Sequence, residues 1–178
     1  MIKELRIPVE DPEEVAEKLI DEAEAREVDI VDQKDVYYGS IKLYEKMDKP
    51  FLLRIREESS KVFLEYKSQS DGAVERKKIL VESPDEAREI LEAIGLEEVL
   101  EIEKKRRKFE LGRMDVNVDS IDSLGDFIEF RIPEEDGRAP AESALEAIGK
   151  EKEDLTDQSY VSMLLEGEDK KFSDWLEV

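Results

Sequence analysis

The sequence predicts an α+β domain in which antiparallel strands close into a barrel with helices packed outside, and three observations carry that expectation. Long stretches alternate apolar and ionised residues with period two. Segments opening on a capping residue, Pro and Glu interrupt them. The ionised strand faces carry the opposite sign of charge to the chain as a whole.

Taken in order, Ile2–Val9 reads as a strand, with Leu5, Ile7 and Val9 opposite Glu4 and Arg6. Asp11-Pro12-Glu13-Glu14 opens a helix: Asp caps, Pro suits the first helical position, and Glu14 falls three after the cap. Val15, Leu19 and Ile20 supply its apolar stripe. The next strands expected are Phe51–Arg56, Lys61–Lys67 and Val74–Glu82, with Gly72 at a turn. Ser83-Pro84-Asp85-Glu86 repeats the helix signature, followed by Ala87, Ile90, Leu91, Ile94 and a C-capping Gly95. Strands then follow at Val99–Leu111, Met114–Asp119 and Asp126–Ile132, with turns at Gly112 and Gly125. Glu134-Glu135-Asp136-Gly137 is a solvated break before a third helix at Ala139-Pro140-Ala141-Glu142, which lacks a good cap but has Leu145, Ile148 and a closing Gly149. The helix starts are too unevenly spaced for a solenoid, and no linker divides residues 1–178, so one domain with two loosely similar halves is expected.

Composition narrows the chemistry. The 178 residues hold 49 Asp and Glu against 28 Lys and Arg, a net charge of −21 that opposes nucleic acid and anionic lipid as partners. With no Cys and no His, thiolate chemistry, thiolate zinc sites and the usual proton shuttle are absent. Carboxylates, Lys, Arg, Tyr or Ser must do the work. No stretch approaches a membrane span and the start is charged, so a cytoplasmic location is expected, as monomer or homodimer. The acidity suits a salt-rich cytoplasm and equally an ordinary acidic protein.

Splitting each strand into its two faces sorts the charges. One set pools nine cations, Arg6, Arg54, Arg56, Lys67, Arg76, Lys78, Lys104, Arg106 and Arg131, against four anions, Glu4, Glu65, Asp119 and Glu129. A solvated face of so acidic a chain should itself be acidic. Convergent Arg suits phosphate, because the planar guanidinium donates paired hydrogen bonds to its oxygens. Closing the strands into a barrel turns this face inward, where the cations require a polyanion between them. Glu4, Asp119 and Glu129 admit two readings: hard oxygen ligands for Mg2+ or Mn2+, or neutralisation of neighbouring arginines.

The ordered motifs resemble one family, the CYTH domain or triphosphate tunnel metalloenzymes, which includes class IV adenylyl cyclases and thiamine triphosphatases. The resemblance rests on Gln33-x-Asp35-x-Tyr37-Tyr38, Leu53-Arg54-Ile55-Arg56, Leu64-x-Tyr66-Lys67, Arg76, Lys104-x-Arg106, Val118-Asp119, Leu124-Gly125-x-Phe127-x-Glu129 and Ser159-Tyr160-x-x-x-Leu164-Leu165. It implies an eight-stranded antiparallel closed barrel whose tunnel binds a triphosphate. It also implies Arg54, Arg56, Lys67, Arg76, Lys104 and Arg106 as phosphate ligands, joined by Arg6, Lys78 and Arg131 from the charge sorting. Glu4, Asp119 and Glu129 are implied as ligands of Mg2+ or Mn2+, with Glu4 and Glu129 as catalytic residues. The activity implied is metal-dependent hydrolysis of an inorganic or organic triphosphate. Adenylyl cyclisation is less expected, because nothing resembles a dedicated adenine pocket; the alternative is a weakened member that binds polyphosphate or nucleotide as a sensor or carrier. Four carboxylates of the family pattern are replaced, at Ile2, Lys78, Leu80 and Arg131. A cation in place of a carboxylate strengthens anion binding and opposes a divalent ion.

Overall fold

The computed structural model describes residues 2–40, 51–70, 73–133 and 138–165. Eight strands occur: β1 (Ile2–Val9), β2 (Arg26–Gly39), β3 (Phe51–Glu58), β4 (Lys61–Ser70), β5 (Ala73–Val81), β6 (Glu97–Leu111), β7 (Met114–Ile121) and β8 (Gly125–Pro133). The helices are α1 (Pro12–Asp21), α2 (Pro84–Ala93), α3 (Arg138–Ala147) and α4 (Tyr160–Leu165), with a single 3-10 turn at Lys152–Asp154. Seven strands match the expected ones within a few residues. The eighth, β2, comes from a segment to which the alternation assigned no strand. The expected turn at Gly72 and the break at Glu134–Gly137 lie outside the described residues.

The strands are ordered β1-β8-β7-β6-β2-β3-β4-β5. The pairings β1·β8, β8·β7, β7·β6, β2·β3, β3·β4 and β4·β5 all run antiparallel. Antiparallel architecture with helices is therefore as expected. Closure is not part of these pairings, because the order ends at β1 and β5. At β1, Thr156 exchanges backbone hydrogen bonds with Arg6, at 2.8 and 2.9 Å.

Two compact units make up the chain, Met1–Val31 with Lys104–Ser159, and Asp32–Glu103 with Tyr160–Val178. In the first, α1 and α3 bury Ala16, Leu19, Ala144 and Leu145 against Ile7, Phe109, Val116, Ile128 and Phe130. In the second, Ala87 and Leu91 of α2 pack with Tyr38 and Ile55, flanked by Leu53, Leu64 and Val81. Each sheet face that meets helices is thus the apolar one, leaving the ionised face opposite it.

Local chemistry explains where the helices begin. Asp11 Oδ1 accepts from the backbone N–H of Glu13 and Glu14, both at 3.0 Å, and Ser83 Oγ accepts from that of Glu86 at 3.2 Å. The apolar stripes are narrower than expected. Ile20, Ile90 and Ile94 are exposed, and the buried helix positions go to Ala16, Leu19, Ala87 and Leu91.

Candidate functional site

The ionised residues fall into two networks, one in each unit. In the first unit the strand register sets Arg6 opposite Glu129, Glu4 opposite Arg131, Arg106 opposite Asp119 and Asn117 opposite Glu129. Arg106 grips Asp119 with a two-pronged contact, Nε donating to Oδ1 at 2.6 Å and Nη2 to Oδ2, and reaches Glu129 Oε1 at 3.0 Å. Arg6 Nη2 donates to Glu129 Oε2 at 2.6 Å and to Glu4 Oε2 at 3.1 Å, while Nη1 reaches the Gln158 carbonyl at 3.1 Å. Asn117 Nδ2 adds a donor to Glu129 Oε1 at 3.2 Å. Arg131 meets Asp115 Oδ2 at 3.1 Å and lies 3.7 Å from Glu4.

Burial makes this network consequential. Asp119 is fully enclosed, and Arg6, Lys104, Arg106 and Glu129 are all buried. Burial alone would raise the Glu129 carboxyl; the charges of Arg106, Arg6 and Lys104 outweigh it and hold the group well below its ordinary range. The Glu129 carboxylate therefore stays ionised despite its burial.

The second unit repeats the scheme on β2–β5. Asp35, also fully enclosed, receives Arg56 Nε on Oδ1 and Nη2 on Oδ2, both at 2.6 Å, and Arg54 Nη1 on Oδ2 at 3.2 Å. Arg54 Nη1 also donates to the Tyr37 hydroxyl at 3.0 Å, and its Nε donates to Glu65 Oε2 at 2.9 Å. Lys78 Nζ sits 3.2 Å from Glu65 Oε1 and 3.6 Å from the centre of the Phe63 ring. Burial pushes the Glu65 carboxyl up, but Arg54, Arg56 and Lys78 outweigh it and bring it down to about 2. Lys67 and Arg76 stand directly opposite one another on β4 and β5. Arg76 and Lys78 are exposed, and Lys67 and Arg54 are half-buried.

Each predicted residue thus lies in one of these networks or on the face that carries it: Glu4, Arg6, Lys104, Arg106, Asp119, Glu129 and Arg131 in the first unit, and Arg54, Arg56, Lys67, Arg76 and Lys78 in the second. The sequence reading missed Asp35, Asp115 and Asn117 as members. Asp35 was recoverable, since Gln33, Asp35 and Tyr37 alternate with step two, but a carboxylate at an inward position does not announce a strand.

The carboxylates proposed for a divalent ion can be tested on their donors. Arg6 Nη2 bonds to both Glu4 and Glu129, and Asp119 meets Arg106 with both oxygens. Among the described residues, no three Asp or Glu side chains converge so as to hold a metal ion. As arranged here, the donor set fits arginine and does not fit Mg2+ or Mn2+.

Comparison with known proteins places the chain. A Methanocaldococcus jannaschii protein, provisionally named an adenylate cyclase, is 26% identical over 103 residues, 55% of this chain and 58% of that one. The chain thus spans under two thirds of that relative. The solved structure of Pyrococcus horikoshii PH1819 matches with a TM-score of 0.71 and 26% identity, covering 94% of this chain and 100% of the other. A Hippeastrum protein, HpAC1, whose structure is described as revealing a dominant triphosphatase activity, matches with a TM-score of 0.64 at 16% identity, covering 96% and 97%. At that identity the likeness shows the fold. The CYTH domain model itself matches residues 3–160, nearly the whole described chain, and the chain belongs to the CYTH domain family.

Proposed function

We propose that this chain binds a triphosphate, inorganic or as the anhydride end of an organic molecule, on the ionised face of its sheet. The sorting of charge carries this reading. In a chain of net charge −21, the face shared by β2–β5 holds, among the described residues, Arg54, Arg56, Lys61, Lys67, Arg76 and Lys78 beside Asp35, Glu58 and Glu65. Guanidinium groups offer paired donors to phosphate oxygens and the ammonium groups act as point charges. Asp35 and Glu65 hold Arg54 and Arg56 in place before any ligand arrives, which lowers the ordering cost of binding. The closed barrel that the family resemblance implies belongs to the same proposal, as does a small anion, rather than nucleic acid or a lipid surface, as partner.

A second reading, metal-dependent phosphohydrolysis, is supported by the meeting of Glu4, Asp119 and Glu129 in one hydrogen-bonded network. It requires Arg6 and Arg106 to release these carboxylates. Phosphate release from tripolyphosphate, ATP and thiamine triphosphate, measured with Mg2+, Mn2+ or EDTA beside calorimetric binding, separates the readings. Binding is expected, weakened about 10- to 100-fold by Arg54→Ala, as befits a charge-assisted hydrogen bond. Turnover abolished by EDTA and by Glu129→Gln would identify a phosphohydrolase. Binding without turnover would identify a sensor or carrier, and no binding under any condition would sink the proposal.

A further inference from the structure

Resting on the triphosphate reading, we propose that Tyr37 binds the anion directly, donating its phenol O–H to a phosphate oxygen, and that Arg54 is the residue that positions it. The donors of Arg54 lead to this assignment. A guanidinium carries five N–H groups. In Arg54, Nε and Nη2 both donate to Glu65 Oε2, while Nη1 donates to Asp35 Oδ2 at 3.2 Å and to the Tyr37 hydroxyl at 3.0 Å. Among the described residues, that leaves one N–H of Arg54, on Nη2, without an acceptor. Arg54 is thus taken up mainly by its own neighbours.

Tyr37 stands on β2 directly opposite Arg54, on the face that carries Asp35 and Arg56, and is buried. A phenol oxygen that accepts an N–H still has its own proton to give. Among the described residues, no group accepts it; Asp35, two positions away on the same face, is turned to Arg56 and Arg54. By accepting from Nη1, the oxygen directs its lone pair toward Arg54 and its proton elsewhere. Burial raises the phenol above its ordinary value and outweighs the guanidinium opposite, so the hydroxyl remains a donor at neutral pH.

An O–H enclosed in this way is costly until an acceptor meets it, and a phosphate oxygen is such an acceptor. Arg56 supplies the charge beside it. It is the diagonal cross-strand neighbour of Tyr37, and because Asp35 occupies its Nε and Nη2, its Nη1 offers two further N–H groups.

The test is titration of the whole chain with tripolyphosphate, by calorimetry and by ultraviolet difference absorbance of tyrosine, in the wild type, Tyr37→Phe, Arg54→Ala and the double variant. Wild-type binding should bring a tyrosine difference signal. Tyr37→Phe should bind about fivefold to tenfold more weakly, the loss of one neutral hydrogen bond, and should lack that signal at saturation. Arg54→Ala should weaken binding further, and adding Tyr37→Phe to it should cost less than about twofold, because the hydroxyl has already lost its orientation. Wild-type binding without the tyrosine signal, unaltered affinity in Tyr37→Phe, or losses that multiply in the double variant would overturn the inference while leaving the triphosphate reading standing. Absence of binding by the wild type would overturn the two together.

Discussion

A buried carboxylate is costly unless its charge is matched, and Asp35 and Asp119 are matched in the same way, each by the two-pronged grip of an Arg on the neighbouring strand. Glu65 and Glu129 then link that Arg or its neighbour to a further cation. Glu65 carries a pH consequence with a definite sign. Its pKa falls from 4.5 to about 2 on folding, so its contribution to stability is complete above the unfolded value and lost as pH drops between about 4.5 and 2. The full gap corresponds to about 3 kcal/mol. Urea unfolding of the wild type and Glu65→Gln should therefore show a gap at pH 6 that closes toward pH 2.5; a gap independent of pH would contradict the assignment. The cations of both networks were legible in the sequence because strand alternation sorts them. Their partners were less so, since a carboxylate on an ionised face looks the same whether it serves a metal, an arginine or water.

At the level of elements, capping chemistry and alternation behaved differently as signals. Asp11 accepts two backbone N–H groups at the start of α1, as its place before Pro12 and Glu13 suggests. Asp11→Ala should cost about 1 kcal/mol in denaturant unfolding, and a cost near zero would show that tertiary packing alone fixes this helix start. Strand β2 was hidden for a physical reason. Val28 and Ile30 are about half exposed, whereas Gln33 and Asp35 are buried. The face that holds Val28 and Ile30 becomes apolar and covered only farther along, at Val36 and Tyr38, while the other face carries Gln33 and Asp35 into the ionised network, so neither face reads as a hydrophobic stripe. The helix stripes were misjudged in the complementary sense: small Ala residues at positions 16, 87 and 144 make the close contacts while Ile20, Ile90 and Ile94 stay exposed.

Across the whole molecule, the net charge of −21 describes the solvated helices and loops better than it describes the sheet. Both units follow one plan, an apolar sheet face against helices and an ionised face built on Arg–carboxylate grips. They differ in exposure: Arg6 and Arg106 are buried, whereas Arg76 and Lys78 are exposed. That difference was invisible while the cations were pooled, because alternation says which face a residue lies on and not how far it is covered. Triphosphate binding on the β2–β5 face is the central claim, and a crystal structure grown with tripolyphosphate tests it most directly. The account predicts phosphate oxygens within hydrogen-bonding distance of Lys67, Arg76 and Lys78, with Asp119 still gripped by Arg106. Tripolyphosphate held instead by Arg6 and Arg106, or found only on the outer surface, would contradict it.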